Sequence, residues 1–483
     1  MMGSVGSRVG RAAVFGVGLA FAGIVGTVPG EAQSLRDVAA AAYKYNPRLD
    51  AERARQRATD EEVARAHSGY RPRVSATADI GYNRTDTKPS RGEDGETHPK
   101  GYEVNATQPI FNGFRTLNSV RVAEALVRSG RETLRSVEQS VLLEAVTAYM
   151  DVVRDQAIVK LRENNVEVLT RELNATRDRF SVGEVTRTDV AQAEARRAGA
   201  VSALDFARSN LRTSRANFER TVGYPPRSLA DQAVPDRLLP KSLNDAVDIT
   251  MREQPTIVAA LYNEQSARHN VDLIWGELLP SVRLDARYSH RFDPSTSVDE
   301  NETTTVRGVL DVPLYEAGDT RARVRAAKHT HVSRLQQIEQ ARTEARAVTT
   351  SAWSVLTAAR AQLESDQVQV QATRTALAGV REEERVGQRT LLDVLNAEQE
   401  ALNAQVTLVT TRRNLVVAAY SLLSAVGRLT IVEMGAAELA YDPEAHYHEV
   451  RRKWWGISIT HRDGRRETHD LWDTHGVRHG SMK

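Results

Sequence analysis

Apolar positions along the chain follow two rhythms. Leu134, Val137, Val141, Ala145, Ala148 and Val152 recur at steps of three and four, with Arg, Glu and Gln between them. That is the seam of a helix packed lengthwise on others. Proline is absent between Pro109 and Pro225 and between Pro313 and Pro443, so both stretches permit uninterrupted helices. A helix from about Arg115 to Phe180 would be roughly 100 Å long at ~1.5 Å per residue, which is a rod or tunnel wall rather than a globular element.

The second rhythm is alternation. Val74, Ala76, Ala78, Ile80 and Tyr82 alternate with polar neighbours, as do Tyr102, Val104 and Ala106; Val282, Leu284, Ala286 and Tyr288; and Val306, Gly308, Leu310 and Val312. Period two predicts strands, in pairs at 73–110 and 281–313, with polar loops from Asn83 to Gly101 and His290 to Thr303. A strand of ~9–11 residues is of membrane-crossing length in a β-barrel. On that reading the apolar set meets lipid, Tyr82, Tyr102 and Tyr288 supply interfacial aromatics, and Asp79, Glu103, Arg283, Asp285, Arg287 and Arg307 face a wet lumen. Soluble hairpins with one wet face carry the same alternation. Four strands cannot close a barrel, for which about eight are needed, so the barrel reading requires copies to share one. Two or three copies both permit closure.

The chain repeats itself. An offset of 208 (243 − 35) aligns Leu35-Arg36-Asp37 with Leu243-Asn244-Asp245, Asn46-Pro47 with Gln254-Pro255, and Pro72 with Pro280. An offset of 204 (313 − 109) then aligns Pro109-Ile110-Phe111 with Pro313-Leu314-Tyr315, Thr188-Asp189 with Leu392-Asp393, and Gly223 with Gly427. The shift falls where the first copy has the longer loop. The expected organisation is a signal peptide at 1–32, a first repeat at 33–238 with a helical hairpin at 113–223, a second repeat at 239–430 with a hairpin at 317–427, and a tail at 431–483.

Each long helix ends at a matched turn. Gly183 and Gly387 suit a left-handed C-terminal cap. Thr186 with Asp189, and Thr390 with Asp393, suit the capping box of a returning helix.

Composition narrows the chemistry. Among 483 residues, 65 Lys and Arg stand against 63 Asp and Glu, leaving no basic field for nucleic acid. The absence of Cys excludes disulfides and thiolate sites. Arg8 and Arg11, the apolar run Ala12–Val28 and the small residues before Gln33 read as an export signal cleaved after Ala32. A single membrane anchor is the alternative. His446 and His448 stand close together but match no zinc spacing, and His461, His469, His475 and His479 are scattered along the tail. Residues 441–456 are expected to pack on the collar of the rods. Neither a nucleophile turn, a paired-carboxylate site nor a phosphate loop occurs, so no enzymatic activity, metal or cofactor is expected.

In order, Tyr43-x-x-Asn46-Pro47, Gly69-Tyr70-Arg71-Pro72, Gln108-Pro109-Ile110-Phe111-Asn112-Gly113 and Val386-Gly387-Gln388-Arg389-Thr390-Leu391-Leu392-Asp393-Val394-Leu395-Asn396-Ala397 resemble the TolC family of outer-membrane efflux and secretion ducts. The resemblance covers about Ser34 to Thr430. It implies an α+β membrane protein: a trimer with a twelve-stranded barrel, four strands per copy, continuous with a long periplasmic helical tunnel and a mixed equatorial region. It also implies a periplasmic adaptor and an energised inner-membrane partner, an ABC transporter or a proton-driven pump. The tunnel would be shut at the hairpin tips, with Arg389 pairing to Thr188 and Asp189 of the neighbouring hairpin and Asp393 forming an acidic ring. The second ring position, usually acidic, is Asn396, and the family's gate tyrosine is replaced by Glu384. Val182, Gly183, Val386 and Gly387 would receive the adaptor. Type I protein secretion is the expected use, small-molecule efflux the alternative, and a periplasmic coiled-coil scaffold or adaptor the distant one.

Overall fold

A computed structural model describes residues 33–89, 94–460 and 466–467. The expected signal peptide lies outside the described residues, as do His461, His469, His475 and His479.

The first repeat runs α1 (Leu35–Tyr45), α2 (Pro47–His67), β1 (Arg73–Ile80), β2 (Asn83–Thr85), β3 (Gly95–Thr97), β4 (Lys100–Asn112), α3 (Arg115–Ser181) and α4 (Arg187–Val222). The second runs α5 (Leu243–Glu253), α6 (Pro255–Trp275), β5 (Ser281–Ser295), β6 (Val298–Asp311), α7 (Asp319–Arg385) and α8 (Leu391–Ala425). Helices α3 and α7 have 67 residues each, the rods that their proline-free seams permit. Starts are set locally: Ser34 and Asp37 form a capping box on α1, and Asn46 caps α2 with Pro47 in its first turn.

Strands β1, β4, β5 and β6 form one antiparallel sheet in that order. Its register sets Val74, Ala106, Ala286 and Val306 abreast on one face, followed by Ala76, Val104, Tyr288 and Thr304. The opposite face sets Arg73, Thr107, Asp285 and Arg307 abreast. Asp79, Glu103, Arg283, Asp285, Arg287 and Arg307, the expected lumen residues, therefore share one face. They are joined there by Arg283–Asp285 (3.2 Å), Arg287–Glu103 (3.5 Å), Arg307–Asp285 (3.9 Å) and a further pair, Arg291–Asp79 (3.2 Å). The apolar face is exposed, with Val306 and Leu310 at 66% and 65%. On the charged face the carboxylates of Asp285 and Glu103 are sheltered, at 20% and 21%, among the arginines that pair with them.

The expected loop from His290 to Thr303 is instead mostly strand, because β5 runs to Ser295 and β6 starts at Val298. Polar cross-strand pairs hold it: His290 lies opposite Glu302 and its Nε2 is 2.6 Å from Glu300. Alternation finds a strand only where one face is apolar, and this extension is polar on both. The first loop likewise contains the short hairpin β2–β3.

The main core lies midway along the rods. Leu142, Tyr149, Phe218, Leu423, Leu429 and Ile431 pack with Val38, Ala42 and Leu49 of the first two helices. The tail descends from this collar along α1 and α2. Tyr441 N–H donates to the Tyr43 hydroxyl, His446 Nδ1 is 3.2 Å from the buried Asp60, and the Lys453 carbonyl accepts from Arg71 (2.8 Å). Between these points lies α9 (Ala445–Val450).

Candidate gate at the helical tips

The two hairpin tips have the same construction. After α3, Gly183 takes φ +79° and Glu184 N–H donates to the Arg179 carbonyl (3.0 Å). After α7, Gly387 takes φ +78° and Gln388 N–H donates to the Glu383 carbonyl (2.8 Å). A Cβ at either glycine would meet open space, so the requirement is backbone handedness rather than room. Val182 and Val386 precede these glycines and are 76% and 70% exposed, leaving an apolar side chain at the end of each rod.

The returning helices start from capping boxes. Asp189 Oδ2 accepts from the Thr186 N–H (2.9 Å) and hydroxyl (2.7 Å). Asp393 Oδ2 does the same with Thr390 (3.0 and 2.8 Å). The Thr390 N–H, then its hydroxyl, hold the Asp393 carboxyl below its ordinary pKa, with Arg389 adding to them. Within one protomer Asp393 is thus a firmly ionised acid. Arg389 turns to Glu383 (2.9 Å), whose carboxylate raises the guanidinium pKa. Inside the protomer Arg389 is paired with Glu383 and Asp189 with Thr186, while Thr188 is exposed on the first turn of α4.

Two contacts join the hairpins near their ends. Arg179 Nη1 on α3 donates to Glu384 on α7 (2.7 Å). Arg196 Nη2 on α4 donates to Asn396 on α8 (2.6 Å). Both acceptors are positions where the resemblance implies a departure from the TolC-family pattern. The replacements Glu384 and Asn396 accept hydrogen bonds, and an arginine from the other hairpin supplies each. Arg179 and Arg196 were missed from sequence because their partners lie 205 and 200 residues away; the only signal was that an acceptor at each altered position calls for a donor. Less than one turn farther along the rods, the buried Glu398 pairs with Arg381. Glu172 faces this cluster, and burial, then Glu398 and Glu384, push its pKa up.

The sequence pattern of the family described as Outer membrane efflux protein matches residues 38–224 and 247–428, one match per repeat. The chain belongs to this family. Among relatives, it is 38% identical over 426 residues to "Outer membrane efflux protein BepC" of Brucella suis, covering 88% of this chain and 91% of that one. It is 24% identical over 407 residues to "Outer membrane protein TolC" of Vibrio cholerae, covering 83% and 92%. It is 26% identical over 315 residues to "Alkaline protease secretion protein AprF" of Pseudomonas aeruginosa, covering 62% and 64%. In fold it is similar to the Campylobacter jejuni CmeC outer membrane channel, with TM-score 0.73 at 17% identity over 86% of this chain and 89% of that one. As a member of the outer membrane efflux protein family it is an outer-membrane channel of a Gram-negative bacterium, and the family's work is conduction rather than catalysis. The sheet is its membrane part, and the rods extend into the periplasm.

Proposed function

We propose that three copies close the four-stranded sheets into one twelve-stranded barrel, and that the assembly is the exit duct of an export complex, shut at the helical tips. The observation that carries this is the sheet: one face is charged and internally paired, the other is apolar and exposed, and β1 and β6 are edges. Open edges in lipid would leave backbone groups unpaired, so each β1 needs the β6 of a neighbour. Two copies would also make a closed barrel; the family assignment favours three.

At the tips, Arg179–Glu384 and Arg196–Asn396 tie the two hairpins of one protomer. Arg389 and Asp393 sit at the ends of the rods, where copies would approach one another. There Arg389 is within reach of exchanging Glu383 for the neighbouring Thr188 and Asp189, and the Asp393 carboxylates would ring the opening. The exposed Val182 and Val386, with Gly183 and Gly387, offer the surface for a periplasmic adaptor. That adaptor would connect the duct to an ABC transporter or a proton-driven pump.

Cargo follows relatives. The relative at 38% identity is named for efflux, which favours small-molecule efflux. A second reading, type I protein secretion, draws on AprF, named for protease secretion, at 26% identity. Secretion of a protease and extrusion of small solutes, each measured in a deletion strain restored with this chain, would separate them.

The assembly is tested by cross-linking. The chain has no Cys, so Thr77→Cys combined with a scan of single cysteines along β6 gives bonds only where placed. A ladder ending at three copies supports the duct; a ladder ending at two, or none at any β6 position, contradicts it.

A further inference from the structure

The tail reaches the membrane end of the molecule and presents two adjacent tryptophans there. Lys453 Nζ donates to the Ser458 carbonyl (2.8 Å), closing a small loop around Trp454, Trp455, Gly456 and Ile457. Gly456 takes φ +88°, which turns the loop back. Trp454 is 61% exposed, Trp455 86%, Ile457 60% and Ile459 55%. The loop is fixed to the barrel's foot: the Arg71 guanidinium donates to the Lys453 carbonyl (2.8 Å) and stacks on Trp454, 4.6 Å from the ring centroid. Arg71 lies two residues before Arg73, the first residue of β1, where the strand gives way to helix. The next residue, Val74, belongs to the exposed apolar face and is 68% exposed.

We propose that the loop 453–459 is an interfacial anchor lying in the phospholipid headgroup layer of the periplasmic leaflet. This rests on the barrel reading. Through Arg71 the loop is tied to the segment just before β1, three residues from the exposed Val74, so the same solvent change that makes Val74 acceptable makes Trp455 acceptable. Tryptophan favours this depth because its ring has an apolar body and one N–H donor. The adjoining charges suit phosphate-bearing headgroups: Arg452 is exposed, beside Lys453 and Arg71. Burial, then Arg451, lower the pKa of neighbouring His67 against Glu124, with smaller contributions from Arg71 and Arg452. The contacts of α9 with α2 and α3 hold the start of the loop, so the anchor would fix the rods' angle to the membrane as well as their depth.

Purified oligomer in vesicles of phosphatidylethanolamine and phosphatidylglycerol tests this by tryptophan quenching. One vesicle set carries bromines near the headgroup end of the acyl chains, the other near the bilayer centre. The expected result is strong shallow quenching of the wild type, most of which disappears in Trp454→Phe/Trp455→Phe while both proteins still form pores. Equal shallow quenching in the two proteins, with pores intact, overturns the anchor and leaves the barrel standing. Shallow quenching that is weak in both, with Trp455→Cys cross-linking to a neighbouring copy, overturns it in favour of a contact between copies. Absence of pores in both proteins overturns the barrel reading itself and the anchor with it.

Discussion

Arg179 Nη1 stands 2.7 Å from Glu384, and the pair ties the last turn of one 67-residue helix to the last turn of another. A contact at the end of a long rod resists splaying with the greatest leverage. Glu384 is 19% exposed and Arg179 38%, so the pair is shielded on one side only and is worth about 0.5–1 kcal/mol. Removing it shifts a closed–open balance a few-fold rather than abolishing closure. Spin labels on cysteines at Val182 and Val386 report the separation of the tips. Arg179→Ala should extend the distance distribution toward longer values, and Glu384→Gln should do so by less. An unchanged distribution in both would remove the pair from the gate.

Glu172 predicts the pH dependence of the tips. Burial and the charges of Glu398 and Glu384 raise its pKa in the folded protein. A raised acid binds its proton more tightly when folded, so the cost of the ionised form is fully present above the folded pKa and is relieved as pH falls through it. Packing around Leu169 and Leu173 should therefore tighten on acidification toward the ordinary carboxylate range. Hydrogen exchange of 169–180, corrected for intrinsic rates, should show Glu172→Gln at neutral pH matching the acidified wild type. Weaker protection in the Gln variant would reverse the sign.

Handedness at the tip separates two roles of Gly387. With φ at +78° and open space around the Cβ position, Gly387→Ala should cost roughly 1–2 kcal/mol of local turn stability. Gly387→Asn should cost less, since Asn tolerates the left-handed region. Exchange rates at Gln388 and Arg389 measure this. Equal losses for Ala and Asn would mean that the glycine serves something other than backbone geometry.

The two faces of β6 should respond oppositely to charge. Val306→Lys puts an ammonium on the apolar face and should cost about 2–4 kcal/mol if it lies near the bilayer midplane, seen as loss of the heat-modifiable oligomer. Arg307→Ser, one residue on, should leave assembly intact and shift ion selectivity toward cations. Tolerance of Val306→Lys would contradict the assignment of that face to lipid.

Legibility from sequence followed the range of the physics. The rods, their caps at Thr186 and Thr390, and the shared face of Asp79, Glu103 and Arg287 depend on neighbours within a few residues, and alternation or periodicity exposes them. The duplication sharpened the ends: α3 and α7 start and stop at positions 204 apart. What remained hidden was pairing across long separations. Arg179 with Glu384 and Arg196 with Asn396 join residues that no local pattern relates. The polar strands at 290–303 were hidden for a different reason, since cross-strand charge pairs such as His290–Glu300 sustain a ladder without an apolar face. The sequence predicts a collar segment at 441–456; Tyr441 packs on the collar, whereas α9 lies farther along α2 and the segment reaches Arg71, a contact no pattern reveals because a backbone carbonyl makes it.

Single-channel conductance of the purified oligomer in a planar bilayer tests the central claim most directly, with wild type beside Arg179→Ala and Arg389→Ala. A duct shut at its tips predicts a small wild-type conductance that rises in Arg179→Ala and rises further when both arginines are replaced. Failure of a correctly folded oligomer to form any pore would contradict the account.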